Sequence, residues 1–168
     1  QLSIQQLCNK AAVTRPTFYK LYKDIQELRK DLIEKLLVEL KEALTIHNPK
    51  PLNVMPKEEQ SENLTLFFVH VQKNHIAYET LLIYQPDAPF LHGIQEILKS
   101  YIQDGISRSE TRSYLIDVNE QLIIAYVAGA YLESVRWWIT TNYETSPIHM
   151  ANTLIELSIN GPYIKRLP

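Results

Sequence analysis

Apolar residues recur at helical spacing along most of the chain, and polar stops cut the recurrence into segments. Ile4, Leu7, Cys8 and Ala11 fall at i, i+3, i+4 and i+7, one stripe that ends near Ala12. Ser3-Ile4-Gln5-Gln6 has the form of a capping box, so a helix is expected to start at Ile4. Thr14 can cap a second helix at once, with Pro16 in its first turn, where a missing N–H costs nothing. Phe18, Leu21 and Tyr22 give that helix a buried side. Asp24-Ile25-Gln26-Glu27 is a further capping box, launching a long amphipathic helix through Leu28, Leu32, Ile33, Leu36, Leu37, Leu40 and Leu44.

Pro49, Pro51 and Pro56 forbid that helix from continuing and mark a loop over His47 to Pro56. The next helix is expected over 58–74, with Leu64, Phe67, Phe68 and Val71 on its apolar side. A break near Asn74 precedes a mostly apolar helix from Ile76 to Tyr84. Pro86-Asp87-Ala88-Pro89 stops it and opens another, carrying Phe90, Ile94, Ile97, Leu98, Tyr101 and Ile102. Ser107 to Ser113 is polar and reads as a mobile connection. A long helix follows from about Asp117 to Tyr143, and Ser146-Pro147 caps a last one that ends before Gly161-Pro162.

Composition agrees with this helical reading. The 168 residues are 45% hydrophobic and 21% charged, ordinary globular values, which removes disordered and collagen-like classes. Four glycines against nine prolines suit long helices with hard stops rather than a sheet stitched by glycine turns. No apolar run approaches the ~20 residues needed to span a bilayer, and no secretory leader is visible, so a cytoplasmic protein without membrane contact is expected. The single cysteine, Cys8, excludes an internal disulfide and any zinc site needing two thiolates.

Charge changes the picture more. The net charge of -2 argues against nucleic acid, but residues 1–30 carry Lys10, Arg15, Lys20, Lys23, Arg29 and Lys30 against Asp24 and Glu27. That is +4 at one end and -6 over the remainder, the asymmetry of a nucleic-acid-facing segment on an acidic body. Two short helices joined by a tight turn, the second one basic, have the form of a helix-turn-helix.

Leu7-Cys8-Asn9-Lys10-Ala11-Ala12-Val13-Thr14-Arg15-Pro16-Thr17-Phe18-Tyr19-Lys20-Leu21-Tyr22, followed by Leu28, resembles the I-A-x-x-A-G-V-S-x-x-T-hydrophobic-Y-x-x-F…L signature of the TetR family. Ala12 stands where that family has its turn glycine, and Ile25 where it often has a phosphate-contacting lysine. The resemblance implies an all-α fold: a helix-turn-helix DNA-binding domain with its connecting long helix over 1–46, then a helical-bundle effector-binding and dimerisation domain over 47–168. The family has one more helix before this motif, so the first helix is expected to be missing from these residues.

The resemblance also implies roles. The second helix of the motif enters the major groove, with Arg15, Pro16, Thr17, Tyr19 and Lys20 facing DNA and Ser3, Thr14 and Lys23 beside them. Arg15 can fork onto guanine, Thr17 can meet a thymine methyl or a phosphate, Tyr19 and Lys20 can bind phosphates, and Pro16 can make apolar contact only. Ser3 and the amides at its helix start suit a further phosphate.

Ala128-Gly129-Ala130 to Trp138-Ile139, then Ser146-Pro147 to Met150, is similar to one C-terminal subgroup of the family. There the last two helices meet their two-fold mates as a four-helix bundle, which implies a homodimer interface near Gly129, Ala130, Ala151 and Ser158. Phe67, Phe68, Tyr78, Tyr84, Phe90, Tyr101, Tyr126 and Trp137 come from the helices that enclose the family's inducer cavity and are the candidates for effector contact. No arginine cluster dominates the apolar stripes, so an uncharged or weakly polar small molecule is expected.

Competing chemistry has little foothold. There is no phosphate loop, nucleophile elbow or H-E-x-x-H, so no enzyme and no cofactor is expected. His47, His70, His75, His92 and His149 lie on different elements and read as ordinary polar or boundary residues, with no metal site. Cys8 takes a small core position and reads as packing rather than a redox sensor. The expected function is a TetR-like repressor, released from a double-stranded DNA operator by its effector. The alternative is a dimeric protein-interaction adaptor whose motif no longer reads DNA, for which Ala12 and Ile25 speak.

Overall fold

The computed structural model describes residues 3–45, 61–108 and 119–161, and among them the protein is all-α. The helices are α1 (Ile4–Lys10), α2 (Arg15–Leu21), α3 (Ile25–Leu44), α4 (Glu62–Lys73), α5 (His75–Glu79), α6 (Ala88–Arg108), α7 (Glu120–Thr140) and α8 (Pro147–Asn160). The chain divides into two compact units, Gln1–Val38 and Glu39–Pro168, with the boundary inside α3.

The second unit is held by helices laid against one another, α4 on α8 and α6 on α7. Its core is rich in aromatic rings, and Phe67, Phe68, Tyr78, Phe90 and Trp138 are all buried. They meet edge to face, the arrangement that ring quadrupoles favour. Phe68 stands 5.1 Å from Trp138 at 89°, and Tyr78 stands 5.3 Å from Phe90 at 63°. A buried indole must still find an acceptor, and Trp138 Nε1 donates to the Thr145 carbonyl at 2.7 Å. The chain reaches that position through Asn142 and Tyr143, both left-handed with φ of 55° and 58°. Two such residues in succession are strained. The Tyr143 ring against Trp138 at 4.9 Å and its hydroxyl donating to Glu79 Oε1 at 3.2 Å hold the turn in place.

Several boundaries differ from the sequence expectation. The segment expected as one helix from Ile76 to Tyr84 splits into α5 and a π-helical turn, Thr80–Tyr84. There the Gln85 amide donates to the Thr80 carbonyl, and the Leu81 carbonyl is left for the amide of Asp87, beyond Pro86, which has none to give. Ser107 and Arg108, expected in the mobile connection, belong to α6, and the Ser107 hydroxyl donates back to the Gln103 carbonyl at 2.9 Å. The rest of that connection and the proline loop from His47 to Pro56 lie outside the described residues. The helix expected over 58–74 is described from Glu62, after a buried Ser61. The long helix expected from Asp117 starts at Glu120, where Asn119 Oδ1 accepts from the Gln121 amide at 2.8 Å.

Replacing Trp138 with alanine removes the largest buried side chain and leaves a cavity among close-packed rings. Trp138→Ala is expected to destabilise the chain by about 3–5 kcal/mol, read from the denaturant midpoint. A loss below about 1 kcal/mol would mean that the indole is not part of a rigid core.

Candidate nucleic-acid interface

The first unit is built from local hydrogen bonds. Ser3 Oγ accepts from the Gln6 amide at 3.2 Å while Gln6 Oε1 accepts from the Ser3 amide at 2.9 Å, the reciprocal capping box expected at α1. At the other end of α1 the Ala12 backbone is left-handed, with φ of 53°. The amides of Ala11 and Val13 donate to the carbonyls of Leu7 and Cys8 at 2.9 and 3.0 Å, closing the helix as a left-handed cap. Ala12 thus adopts the conformation a glycine would take more easily, and the turn keeps its shape despite the substitution.

Thr14 caps α2 as expected, its Oγ1 accepting from the Thr17 amide at 3.3 Å, with Pro16 in the first turn. Phe18 is the buried residue of α2 and stands 5.5 Å from the Tyr19 ring and 5.8 Å from the Tyr22 ring. With Phe18 turned inward, Arg15, Pro16, Thr17, Tyr19 and Lys20 are all exposed. Arg15 and Tyr19 share one side, the guanidinium carbon 6.0 Å from the ring centroid. The Thr14 and Thr17 hydroxyls lie 2.8 Å apart. Ser3 and Lys23 are exposed too. The Ser3 hydroxyl is already engaged with Gln6, and the Lys23 amide donates to the Glu27 carboxylate.

That last bond modifies the third capping box. Asp24 Oδ1 accepts from the Glu27 amide at 2.9 Å as expected, but Glu27 reaches back to Lys23, one residue earlier than the cap. Ile25, which replaces a basic residue of the family pattern, is half-buried at the start of α3. Sequence reasoning missed another contact. Tyr22 stands where the family pattern has phenylalanine, and its added hydroxyl donates to Asp31 Oδ2 on α3 at 2.7 Å. With that carboxylate accepting the bond, the phenol is held above its ordinary value of 10.0. The tyrosine-for-phenylalanine exchange was the signal that could have found it.

In the second unit the effector candidates do not form one set. Phe67, Phe68, Tyr78 and Phe90 are buried and Tyr101 is half-buried, whereas Tyr84, Tyr126 and Trp137 are 73%, 72% and 55% exposed. The helical period explains the split on α7. Ile124, Ala128, Tyr131, Val135 and Trp138 occupy its inward stripe, so Trp137 and Tyr126 turn away from it. Tyr126 and Trp137 therefore lie on the outward side of α7.

Of the dimer candidates, Ala130 and Ser158 are exposed and Gly129 is half-buried. Ser158 Oγ donates to the Leu154 carbonyl at 2.7 Å and lies 3.1 Å from the Tyr131 hydroxyl. Ala151 corrects the expectation. It is fully buried within the chain on the inward side of α8, beside Met150 and Leu154, and cannot face a partner.

Cys8 is buried and free, in keeping with a packing role. His75 pairs with Glu79 at 3.2 Å, and His47 lies outside the described residues. Among the described residues, no three His, Cys, Asp or Glu side chains gather as a metal site, and no helix is long and apolar enough to cross a membrane.

A family model for a transcriptional regulator C-terminal region of TetR type matches residues 58–160, well over half of the chain. The chain belongs to the TetR family of transcriptional regulators. Among solved structures it is similar to the dihydroxyacetone kinase operon activator DhaS, with a TM-score of 0.64 and 19% identity over 95% of this chain and 84% of that one. At that identity the likeness speaks for the TetR-like fold. No curated protein matches the chain in sequence. The TetR C-terminal match covers α4 to α8, the elements that carry the buried rings described above.

Two predictions concern the first unit. Ala12→Gly relieves a left-handed alanine, worth about 1–2 kcal/mol, and returns part of that as unfolded-chain entropy. A net gain of about 0.5–1 kcal/mol is expected in denaturant unfolding, and a loss would contradict the strained turn. Tyr22→Phe and Asp31→Ala are each expected to lower stability, with the double mutant no worse than the weaker single variant. Additive effects in that cycle would show that the two side chains are uncoupled.

Proposed function

We propose that the chain is a homodimeric DNA-binding repressor, released from a pseudo-palindromic operator by a small-molecule effector bound in its C-terminal part. The DNA-binding domain corresponds to residues 1–46 and the effector-binding and dimerisation domain to 47–168. The observation that carries the DNA reading is α2 itself: capped by Thr14, anchored by Phe18, and exposing Arg15, Thr17, Tyr19 and Lys20 together. A groove-reading helix needs that combination of a rigid anchor with outward donors. Arg15 serves base recognition, and Lys20, Tyr19, Thr14, Ser3 and Lys23 serve phosphates, with Ser3 acting mainly through its backbone because Gln6 occupies its hydroxyl.

Dimerisation is supported by a second apolar face. Leu122, Tyr126 and Trp137 on α7 and Ile148 and Ile159 on α8 are exposed while the opposite faces of both helices are buried. Helices that are apolar on both sides belong in contact with something on both. Gly129 and Ala130 fit between such residues on α7; Ser158 borders the inward side of α8, against the Tyr131 hydroxyl, and Ala151 does not take part.

Effector release is a population shift whose size equals the effector's differential affinity for the two states, typically about 1–3 kcal/mol. The structural neighbour is named as an activator, so the sign of regulation is the second reading. Reporter expression from the bound promoter with and without the protein distinguishes them. The adaptor reading loses support, because Ala12 accommodates the turn conformation that its glycine counterpart would supply.

The test is binding to duplex DNA across a salt series. The native chain is expected to lose affinity steeply with ionic strength through counterion release. Lys20→Ala should weaken all sequences alike and reduce the salt slope by about 1, and Arg15→Ala should cost about 1–3 kcal/mol and relax one position per half-site. A flat salt response, or two silent substitutions, would favour the adaptor.

A further inference from the structure

Three side-chain atoms on α4 and α5 are buried without a hydrogen-bond partner: Thr65 Oγ1, His70 Nε2 and the Tyr78 hydroxyl. Native interiors leave few such groups, and each one calls for an explanation. Two of them belong together. The His70 and Tyr78 rings stand edge to face with centroids 5.7 Å apart, so the two unpartnered groups sit on neighbouring rings of one part of the core. Tyr78 is fully buried and the His70 side chain is only 10% exposed. The Phe90 ring covers Tyr78 from α6. The π-helical turn Thr80–Tyr84 begins two residues after Tyr78, and such turns in otherwise helical segments concentrate at functional sites.

The proton of His70 can be assigned from its neighbour. Asn74 Nδ2 donates to the His70 carbonyl at 3.0 Å, and the reverse amide orientation would set two oxygens against each other. The same nitrogen lies 3.3 Å from His70 Nδ1 and makes it an acceptor, so Nε2 carries the hydrogen. The unpartnered groups are therefore an N–H and two hydroxyls, all able to donate.

We propose that His70 Nε2 and the Tyr78 hydroxyl are the polar contacts of the effector site, and that they bind the oxygen of a neutral carbonyl or hydroxyl compound. This rests on the effector reading above and specifies its ligand chemistry. The electrostatics favour a neutral guest. Burial pushes the Tyr78 phenol well above its ordinary range and the His70 imidazole below its own, so both donors are uncharged near neutral pH. Glu39 Oε2 lies 3.8 Å from His70 Nδ1, and Lys73 also acts on the ring, opposing the carboxylate. An anionic guest would lose its hydration and find no cation in either donor.

The experiment compares cyclohexanone, cyclohexanol and cyclohexanecarboxylate as probes on the full chain, following the nitrogen resonances of the His70 ring by NMR and unfolding by thermal melt. The ketone and the alcohol are expected to bind and to shift the Nε2 resonance, while the carboxylate leaves it unmoved. Tyr78→Phe should bind the ketone about five- to tenfold more weakly while melting at the same temperature or higher, because the lost hydroxyl had no partner in the chain. Binding of no probe, equal binding of the carboxylate, or unchanged ketone affinity in Tyr78→Phe would overturn the site. A lowered melting temperature in Tyr78→Phe without probe binding would mean a structural water only, and would overturn it too. Retention of duplex DNA by the native chain, measured with and without the ketone, separates this proposal from the one beneath it. Intact ketone binding with unaltered DNA retention supports the site and counts against effector release.

Discussion

Burying an indole obliges its N–H to find an acceptor, and much of the C-terminal unit follows from how Trp138 meets that demand. The acceptor is the carbonyl of Thr145, seven residues further on, so the chain must double back directly after α7. Only a sharp turn can do this, and two consecutive left-handed residues, Asn142 and Tyr143, make it. The strain is offset by what the turn makes possible. Tyr143 stacks on Trp138 and bonds Glu79, and Ser146-Pro147 is positioned to open α8. The same indole meets Phe68 on α4, the helix against which α8 lies. One buried donor thus links the end of α7, the start of α8 and the packing of α4.

The first unit works on another scale. It has few fully buried residues, with Cys8 and Phe18 the buried ones on α1 and α2, so its geometry depends on local caps rather than on a large core. This is why so much of it could be read in advance. Ser3 with Gln6 and Thr14 with Thr17 involve residues three apart, and a motif of that length is visible in a linear sequence. The details that escaped are those that need three dimensions. Glu27 caps through Lys23 rather than Asp24, and Tyr22 reaches nine residues along the chain to Asp31.

In the second unit, helix type and approximate extent were legible because apolar spacing at 3.6 residues per turn repeats over long stretches. What spacing alone cannot assign is which side is inner when both sides are apolar. On α7, Trp137 and Trp138 are adjacent and chemically alike, yet one is 55% exposed and the other fully buried. The aromatic effector candidates mix the two classes for this reason, and Ala151, small enough for an interface, is buried within the chain. The π-helical turn was equally invisible, since Thr80-Leu81-Leu82-Ile83-Tyr84 has the pattern of an ordinary buried helix. His70 read as a boundary histidine because its surroundings, Tyr78 and Glu39, come from other elements.

These features share a physical meaning. A chain selected only for stability would present one apolar face per helix and leave no buried donor unpaired. Here α7 and α8 keep a second apolar face, and α4 and α5 keep three unpaired polar atoms inside. Each departure lowers the stability of the isolated chain, the exposed faces through hydration and the orphaned donors through lost hydrogen bonds. Departures of this kind are expected where a protein is completed by something outside itself. They fall on different residues, exposed positions on α7 and α8 in one case and buried atoms of α4 and α5 in the other. That separation is what a regulator requires. On the proposed reading, a second copy and a small ligand would each complete a different part of the molecule, and the ligand would shift a conformational equilibrium without competing for the surface of the proposed dimer.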